Sequence, residues 1–292
     1  MEKPSLGAEL PGRYTNRTNT NMKPLQIRKA AAALALLGLP AFLITAQAQP
    51  TAVWNPAANP SSTGLWSEGA NWTINAVPDS TYKVVFNVPG AVPCVINSAA
   101  TPYQMVIGDG GPGAVTLASG GSLATGVIWT GIGYDNVGSM TLQSGSSAVF
   151  GEHLWVGFNP GAVGTLTLDG GSATVNNMFG LGWNGGTGFG EVNAGTLRLM
   201  NWHDTDSIKG ASVLDISGGQ VVITGDRIGS VDAFISAGRI TGYGGLGDVE
   251  RVFDPGANTT TLTAVIPEPG TLGLLSLGLL AAVVGCSRRG AA

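Results

Sequence analysis

The sequence predicts an all-β chain: a right-handed parallel β-helix with a Trp-rich cap at its N-terminal end, followed by a C-terminal transmembrane helix. Three observations lead there. A phrase of the form apolar-Gly-aromatic-Asn/Asp recurs every 24 or 25 residues. A second phrase, built on Thr-Leu alternation and closed by glycine, keeps step with it. The chain holds 46 Gly while charged residues make up only 11%, a composition that fits an exported all-β protein. Val, Ile, Leu and aromatic residues return at regular intervals, which argues against a disordered low-complexity chain.

Residues 1–48 are read as an upstream extension and a signal peptide. Lys23, Arg28 and Lys29 precede the apolar stretch Ala30 to Thr45, which ends on Ala46-Gln47-Ala48. A basic segment, an apolar segment and an Ala-x-Ala site form a secretory signal. Cleavage after Ala48 starts the mature chain at Gln49. Met22, followed at once by Lys23, is the expected start of translation, the alternative being an unusually long basic region.

Residues 49–105 are read as an N-terminal cap and the first strands. Trp54-Asn55-Pro56, Gly64-Leu65-Trp66-Ser67, Asn71-Trp72-Thr73 and Val77-Pro78-Asp79 precede a strand from Tyr82 to Val88. This order resembles the cap segment that begins many bacterial surface β-helix proteins, autotransporter-like passengers among them. A solenoid needs such a cap to cover its open rung. The rival reading of the three tryptophans is an exposed platform for sugars. Capping is preferred because aromatic side chains mostly supply buried area.

Residues 106–266 are read as the solenoid. Ile107-Gly108-Asp109, Ile132-Gly133-Tyr134-Asp135, Val156-Gly157-Phe158-Asn159 and Leu181-Gly182-Trp183-Asn184 carry the first phrase. Ile228-Gly229 is expected to continue it after a skipped unit near Ile208-Lys209-Gly210. The second phrase runs through Val115-Thr116-Leu117, Met140-Thr141-Leu142, Leu166-Thr167-Leu168 and Val213-Leu214-Asp215-Ile216, with Gly195-Thr196-Leu197 as a looser copy. Period-two alternation puts the leucines on one face, and the glycines that follow permit a sharp corner. No single unit can bury its own apolar face, so units must stack. Six units, at about 4.8 Å per rung, are expected, with aromatic and Asn/Asp ladders at one corner. An antiparallel sandwich of regular hairpins is the competing architecture.

Chemistry is sparsely written. Gln49 to Ile266 holds fifteen acidic and six basic residues, a net of −9, which argues against nucleic acid and anionic membrane surfaces as partners. Cys94 and Cys286 are the two cysteines. Cys286 falls outside residues 49–266, so that segment holds one cysteine and no disulfide of its own, and Cys94 reads as a small buried apolar residue. The passenger has no Gly-x-Ser-x-Gly, His-Glu-x-x-His or Cys-x-x-Cys pattern, and no catalytic, cofactor or metal residue is assigned. Trp202-His203-Asp204-Thr205-Asp206 with Lys209 could be cast as a Ca²⁺ site and base of a polysaccharide lyase, but reads first as a solvated loop. Glu152-His153 reads as a turn, and Asp109-Gly110-Gly111-Pro112-Gly113 is only a faint Ca²⁺-loop signal. Asn71-Trp72-Thr73 and Asn258-Thr259-Thr260 match the glycosylation acceptor pattern, which arises often by chance.

Residues 267–292 hold the most specific signal. Pro267-Glu268-Pro269-Gly270-Thr271 breaks any strand or helix. An apolar run from Leu272 to Cys286 follows, then Arg288-Arg289. Thr271 can cap a helix, and the arginine pair would hold its end on the cytoplasmic side. At about 1.5 Å per residue the run falls short of the roughly 30 Å hydrocarbon core, which suits a temporary tether. Box, apolar helix and basic end, in that order, resemble the PEP-CTERM sorting signal of bacterial exported proteins. The resemblance implies that exosortase, a membrane protease-transpeptidase, recognises the tail through Pro267, Glu268, Pro269, Arg288 and Arg289 and cuts it. The passenger is then expected at the cell surface or in the extracellular matrix. The function expected is that of a surface or matrix β-solenoid, structural or adhesive, bound to extracellular polysaccharide, biofilm or other surface proteins. The alternative is a polysaccharide-active lyase or hydrolase on the same fold.

Overall fold

The computed structural model describes residues 48–266. Ala48 begins them, exposed. The signal segment with Ala46, the sorting residues Pro267, Glu268, Pro269, Arg288 and Arg289, and the membrane helix expected from Leu272 to Cys286 lie outside the described residues. Among the described residues, no helix is long and apolar enough to cross a membrane.

The chain is an all-β solenoid of about seven turns. Each full turn lays one strand segment on each of three faces. On the first face Thr51–Val53, Lys83–Phe86, Gln104–Ile107, Thr130–Ile132 and Leu154–Val156 pair in parallel, one after another. Phe179 to Leu181 extend that face, and Ile208 bridges to Leu181. The second face runs through Cys94–Ile96, Gly113–Leu117, Val137–Gln143, the start of Val163–Leu181, the start of Thr187–Asn201, Val213–Ile216 and Ile240–Gly242. The third carries Ala99–Ala100, Ser122–Ala124, Ser147–Phe150 and the later parts of the two long strands, ending at Gln220–Thr224. Against the six turns expected, about seven are present. Thr51–Val53 and Lys83–Phe86 are two rungs inside the segment read as cap and first strands, with no glycine phrase to announce them, while the rung expected at Ile228 is absent.

Strand alternation builds the core. On the second face Cys94, Val115, Met140, Leu166, Leu214 and Ile240 share one inward column, interrupted by Gly190. Ile96, Leu117, Leu142, Leu168, Val192 and Ile216 share the next, each at most 1% exposed. Thr116, Thr141 and Thr167 stand between them on the outside. Cys94 is a free, buried core residue, and its burial pushes the thiol well above the usual range.

The recurring glycines form the corner after the first face. Gly108, Gly133, Gly157 and Gly182 have φ of +79°, +66°, +68° and +69°, a conformation that side-chain-bearing residues rarely adopt. Space excludes a side chain there too. A Cβ on Gly157 would run into the Thr187 carbonyl of the next turn, and one on Gly133 into that of Val163.

The C-terminal end departs from the expected repeat. Ile228-Gly229 does not open another rung: Ile228–Ser236 is an α-helix, and Val231 and Phe234 on it are buried. Asp248–Asp254 and Thr259–Val265 then form an antiparallel hairpin, and Thr259–Val265 adds antiparallel to Gln220–Thr224. Parallel winding ends there. At the other end Trp54, Trp66 and Trp72 are 2%, 1% and 1% exposed, so they cap the rod and offer no platform.

Candidate functional site

The outer corner beyond the glycine column carries two ladders. In the aromatic ladder Trp129 stacks on Tyr134 (centroids 4.8 Å, 17°) and Tyr134 on Phe158 (5.2 Å, 12°). Trp183 joins through Trp155, which lies 5.7 Å from Phe158 and 4.8 Å from Trp183. Sequence reading placed Tyr134, Phe158 and Trp183 in one stack and missed Trp155. The signal was available: Trp155 is the outward residue of its strand, and its partners on the rungs to either side are Gly131 and Gly180. A Cβ on Gly180 would stand 2.6 Å from the Trp155 ring, so the glycine clears room for the indole. Lys209 closes the stack with its Nζ 3.9 Å from the Trp183 centroid, a cation on a π face. Trp129, Tyr134 and Phe158 thus stack face to face along the rod, and Trp155 joins them to Trp183 at a tilt.

In the polar ladder Asn159 donates to the Asp135 carboxylate, and Asn184 donates to Asn159 Oδ1 at 2.9 Å. A second such ladder joins Glu152, Asn177 and Asn201, the last step at 3.1 Å. A third joins Asp169 and Asn193 at 2.8 Å. Each starts on a carboxylate and continues in amides. Carboxylates repeated at rung spacing would repel, whereas an amide donates to the rung before and accepts from the rung after.

The polar cluster singled out in the sequence is spent on internal pairs. Trp202 turns inward, 3% exposed, and His203, Asp204 and Thr205 are exposed. Asp204 pairs with Arg227 at 3.1 Å. Asp206 lies 3.4 Å from His203 Nδ1 and 3.3 Å from Lys209 Nζ. Both carboxylates are matched by cations of the same chain, and Lys209 rests on an indole, so the cluster is a poor start for Ca²⁺ binding or proton abstraction. Glu152 belongs to its ladder. His153 Nδ1 accepts the Met178 N–H at 3.3 Å, and its Nε2 lies 3.5 Å from the Glu152 carboxylate. Asp109 pairs with Lys83 at 3.1 Å. Among the described residues no group of three or more His, Cys, Asp or Glu is placed to hold a metal ion. Asn71 is fully buried and bonded to Glu68, Asn59 and the Leu65 carbonyl, which bars it as a glycan acceptor.

The end of the fold carries the decisive feature. The strand Thr259–Val265 leads straight into Ile266 and Pro267, and residues 265–289 match the family described as the PEP-CTERM protein-sorting motif. The chain carries a PEP-CTERM sorting motif behind a β-solenoid passenger. The motif marks the protein as exported and bound for the cell surface, and it implies processing by exosortase. No curated protein sequence and no solved structure matches the chain.

Proposed function

We propose that the mature protein is a structural or adhesive component of the cell surface or extracellular matrix, acting through many weak contacts with extracellular polysaccharide or with other surface proteins, and that it is not an enzyme. The observation that supports this best is the outward repetition of neutral hydrogen-bonding side chains. Thr116, Thr141 and Thr167 align on one face. Ser122, Ser147, Ser172 and Thr196 align on another, and the asparagine ladders edge the corners. Each contact is shallow and weak alone, but many copies on one surface multiply them by avidity.

In this reading residues 1–48 are removed after Ala48, and the passenger stays tethered by its tail until the Pro267-Glu268-Pro269 box is cut. Glu268→Ala should leave an uncut, membrane-bound precursor in the native host, seen by immunoblot of membrane fractions. A plain anchor would leave parent and variant alike uncut. For the adhesive role, deletion of residues 132–180 removes two turns in phase, because Leu181 takes the place of Ile132. Matrix retention of the shortened protein should fall partway. Retention unchanged, or lost altogether, would count against multivalent binding. Unsaturated sugars released from anionic polysaccharides by the purified mature protein, with or without Ca²⁺, would favour the lyase alternative.

A further inference from the structure

The fold reaches the sorting motif without a linker. Thr259–Val265 is the middle strand of an antiparallel trio, flanked by Gln220–Thr224 and Asp248–Asp254. The motif begins at Val265, a residue still paired with Asp248, and the box begins two positions later. Pairing is uneven along the strand. Against Gln220–Thr224 it stops at Thr263. Ala264 and Val265 pair only with Val249 and Asp248, on the other side. Ala264 is half-buried against the core, whereas Val265 and Ile266 are 37% and 62% exposed. The backbone is close at this point: a Cβ on Gly247 would stand 2.6 Å from the Val265 carbonyl oxygen.

Peptide-binding sites commonly hold an extended segment by pairing with its backbone as an added strand. Ala264 and Val265 keep one backbone edge free, but a cleft that encloses an extended segment on both sides cannot close round them while their other edge pairs with Val249 and Asp248. We propose that exosortase must open the last two pairs of the terminal strand, Ala264 with Val249 and Val265 with Asp248, before it cuts, so that the folded passenger limits its own release. Opening stops at Thr263, where the strand is held from both sides. It is a local event of the kind that costs far less than global unfolding. The proposal rests on the motif being a processing signal.

The test locks the pair. Asp248 and Val265 are directly opposite, so their Cα atoms are about 4.5–5.5 Å apart, within the roughly 4.4–6.8 Å that a disulfide spans. Asp248→Cys with Val265→Cys is placed in a chain carrying Cys286→Ser, which removes the other thiol of the tail; Cys94 is buried. Membranes holding the precursor and the native processing machinery are followed by immunoblot. The oxidised precursor should mature at least about tenfold more slowly than the same protein after reductant, because the opening step is gone. A second variant needs no cysteine: six Gly/Ser residues inserted between Ile266 and Pro267 should speed maturation by about two- to tenfold. An oxidised form that matures as fast as the reduced one, or an insertion without effect, would overturn the proposal. Normal maturation of Glu268→Ala would instead remove the processing reading itself.

Discussion

At the N-terminal end the open rung is covered by side chains; at the C-terminal end it is covered by backbone. The N-terminal cover is an edge-to-face cluster. Trp72 lies 5.0 Å from Trp54, 4.7 Å from Trp66 and 5.7 Å from Phe86, at angles of 70–74°. Trp54 Nε1 donates to the Val92 carbonyl at 2.8 Å and Trp72 Nε1 to the Trp66 carbonyl at 3.0 Å. The C-terminal cover is a helix and an antiparallel hairpin. Trp202 meets Phe234 at 5.4 Å and 85° and donates to Ser230 at 3.2 Å, and Arg251 pairs with Asp232 at 2.6 Å. Both devices stop another copy from pairing onto an open rung. Only the second also changes the direction of the chain, and it delivers the tail from the middle of a sheet. The end that needs only burial uses aromatic volume; the end that runs into the sorting motif uses hydrogen bonds.

The largest effect is expected between the two ends. Gly157→Val puts a β-branched side chain at φ +68° and against the Thr187 carbonyl. The loss should exceed about 4 kcal/mol, the range reserved for backbone strain and overpacking together, and soluble expression should collapse. Normal folding of this variant would mean that the corner is not where the register places it.

Trp72→Ala should cost about 3–5 kcal/mol, as expected for an aromatic removed from a closed site. Hydrogen exchange should rise first in Thr51–Val53 and Lys83–Phe86. Phe234→Ala should cost nearer the lower end, about 3 kcal/mol, because the helix that carries it is only nine residues long and has no side-chain cap. Its exchange signature should lie in Ile240–Gly242 and the hairpin. If both variants loosened both ends equally, the caps would not be separate devices. The difference would also vanish if the rod unfolded as one cooperative unit, which a solenoid built on nearest-neighbour contacts need not do.

The same contrast explains what was legible. The glycine phrase exposed the period, Thr165-Leu166-Thr167-Leu168 exposed the inward columns, and three tryptophans exposed one cap. Each signal is local and repeats or stands out. The C-terminal cap has no such mark. Ile228-Gly229 mimics the rung phrase, and a glycine second in the helix argues against helix on propensity; tertiary packing of Val231 and Phe234 decides the matter. Antiparallel pairing of Thr259–Val265 with Gln220–Thr224 is a non-local choice that Thr-rich alternation leaves open. The polar cluster at Asp204 and Asp206 reads first as a solvated loop, with Lys209 in view as a possible base; the pairing of Asp204 with Arg227, 23 residues further on, is not visible in the sequence. The sorting box was legible because its function is read from sequence order rather than from a fold.

The smallest predicted effect is a pH dependence confined to the N-terminal cap. Glu68 accepts from the Thr63 hydroxyl, from the Thr63 N–H at 3.1 Å and from Asn71 Nδ2 at 2.7 Å. The Thr63 hydroxyl bond is foremost in holding its carboxyl below the ordinary glutamate value; partial burial works the other way, and the Asn71 bond adds to the lowering. A carboxyl with a depressed folded pKa contributes stability that is present above its unfolded value, about 4.3. That stability is lost as the pH falls through the lower folded value. Asn71, which Glu68 holds, sits in the 3₁₀ turn that leads into Trp72, so protonation loosens the approach to the cluster rather than the cluster itself. The protection of the Gly69 to Trp72 amides, taken against the intrinsic exchange rate at each pH, should therefore fall on acidification below the ordinary carboxylate range, while Glu68→Gln should flatten that response. If the Gln variant kept the same acid-induced loosening as the parent, the carboxylate would not be what fixes the turn, and Trp packing alone would account for the cap.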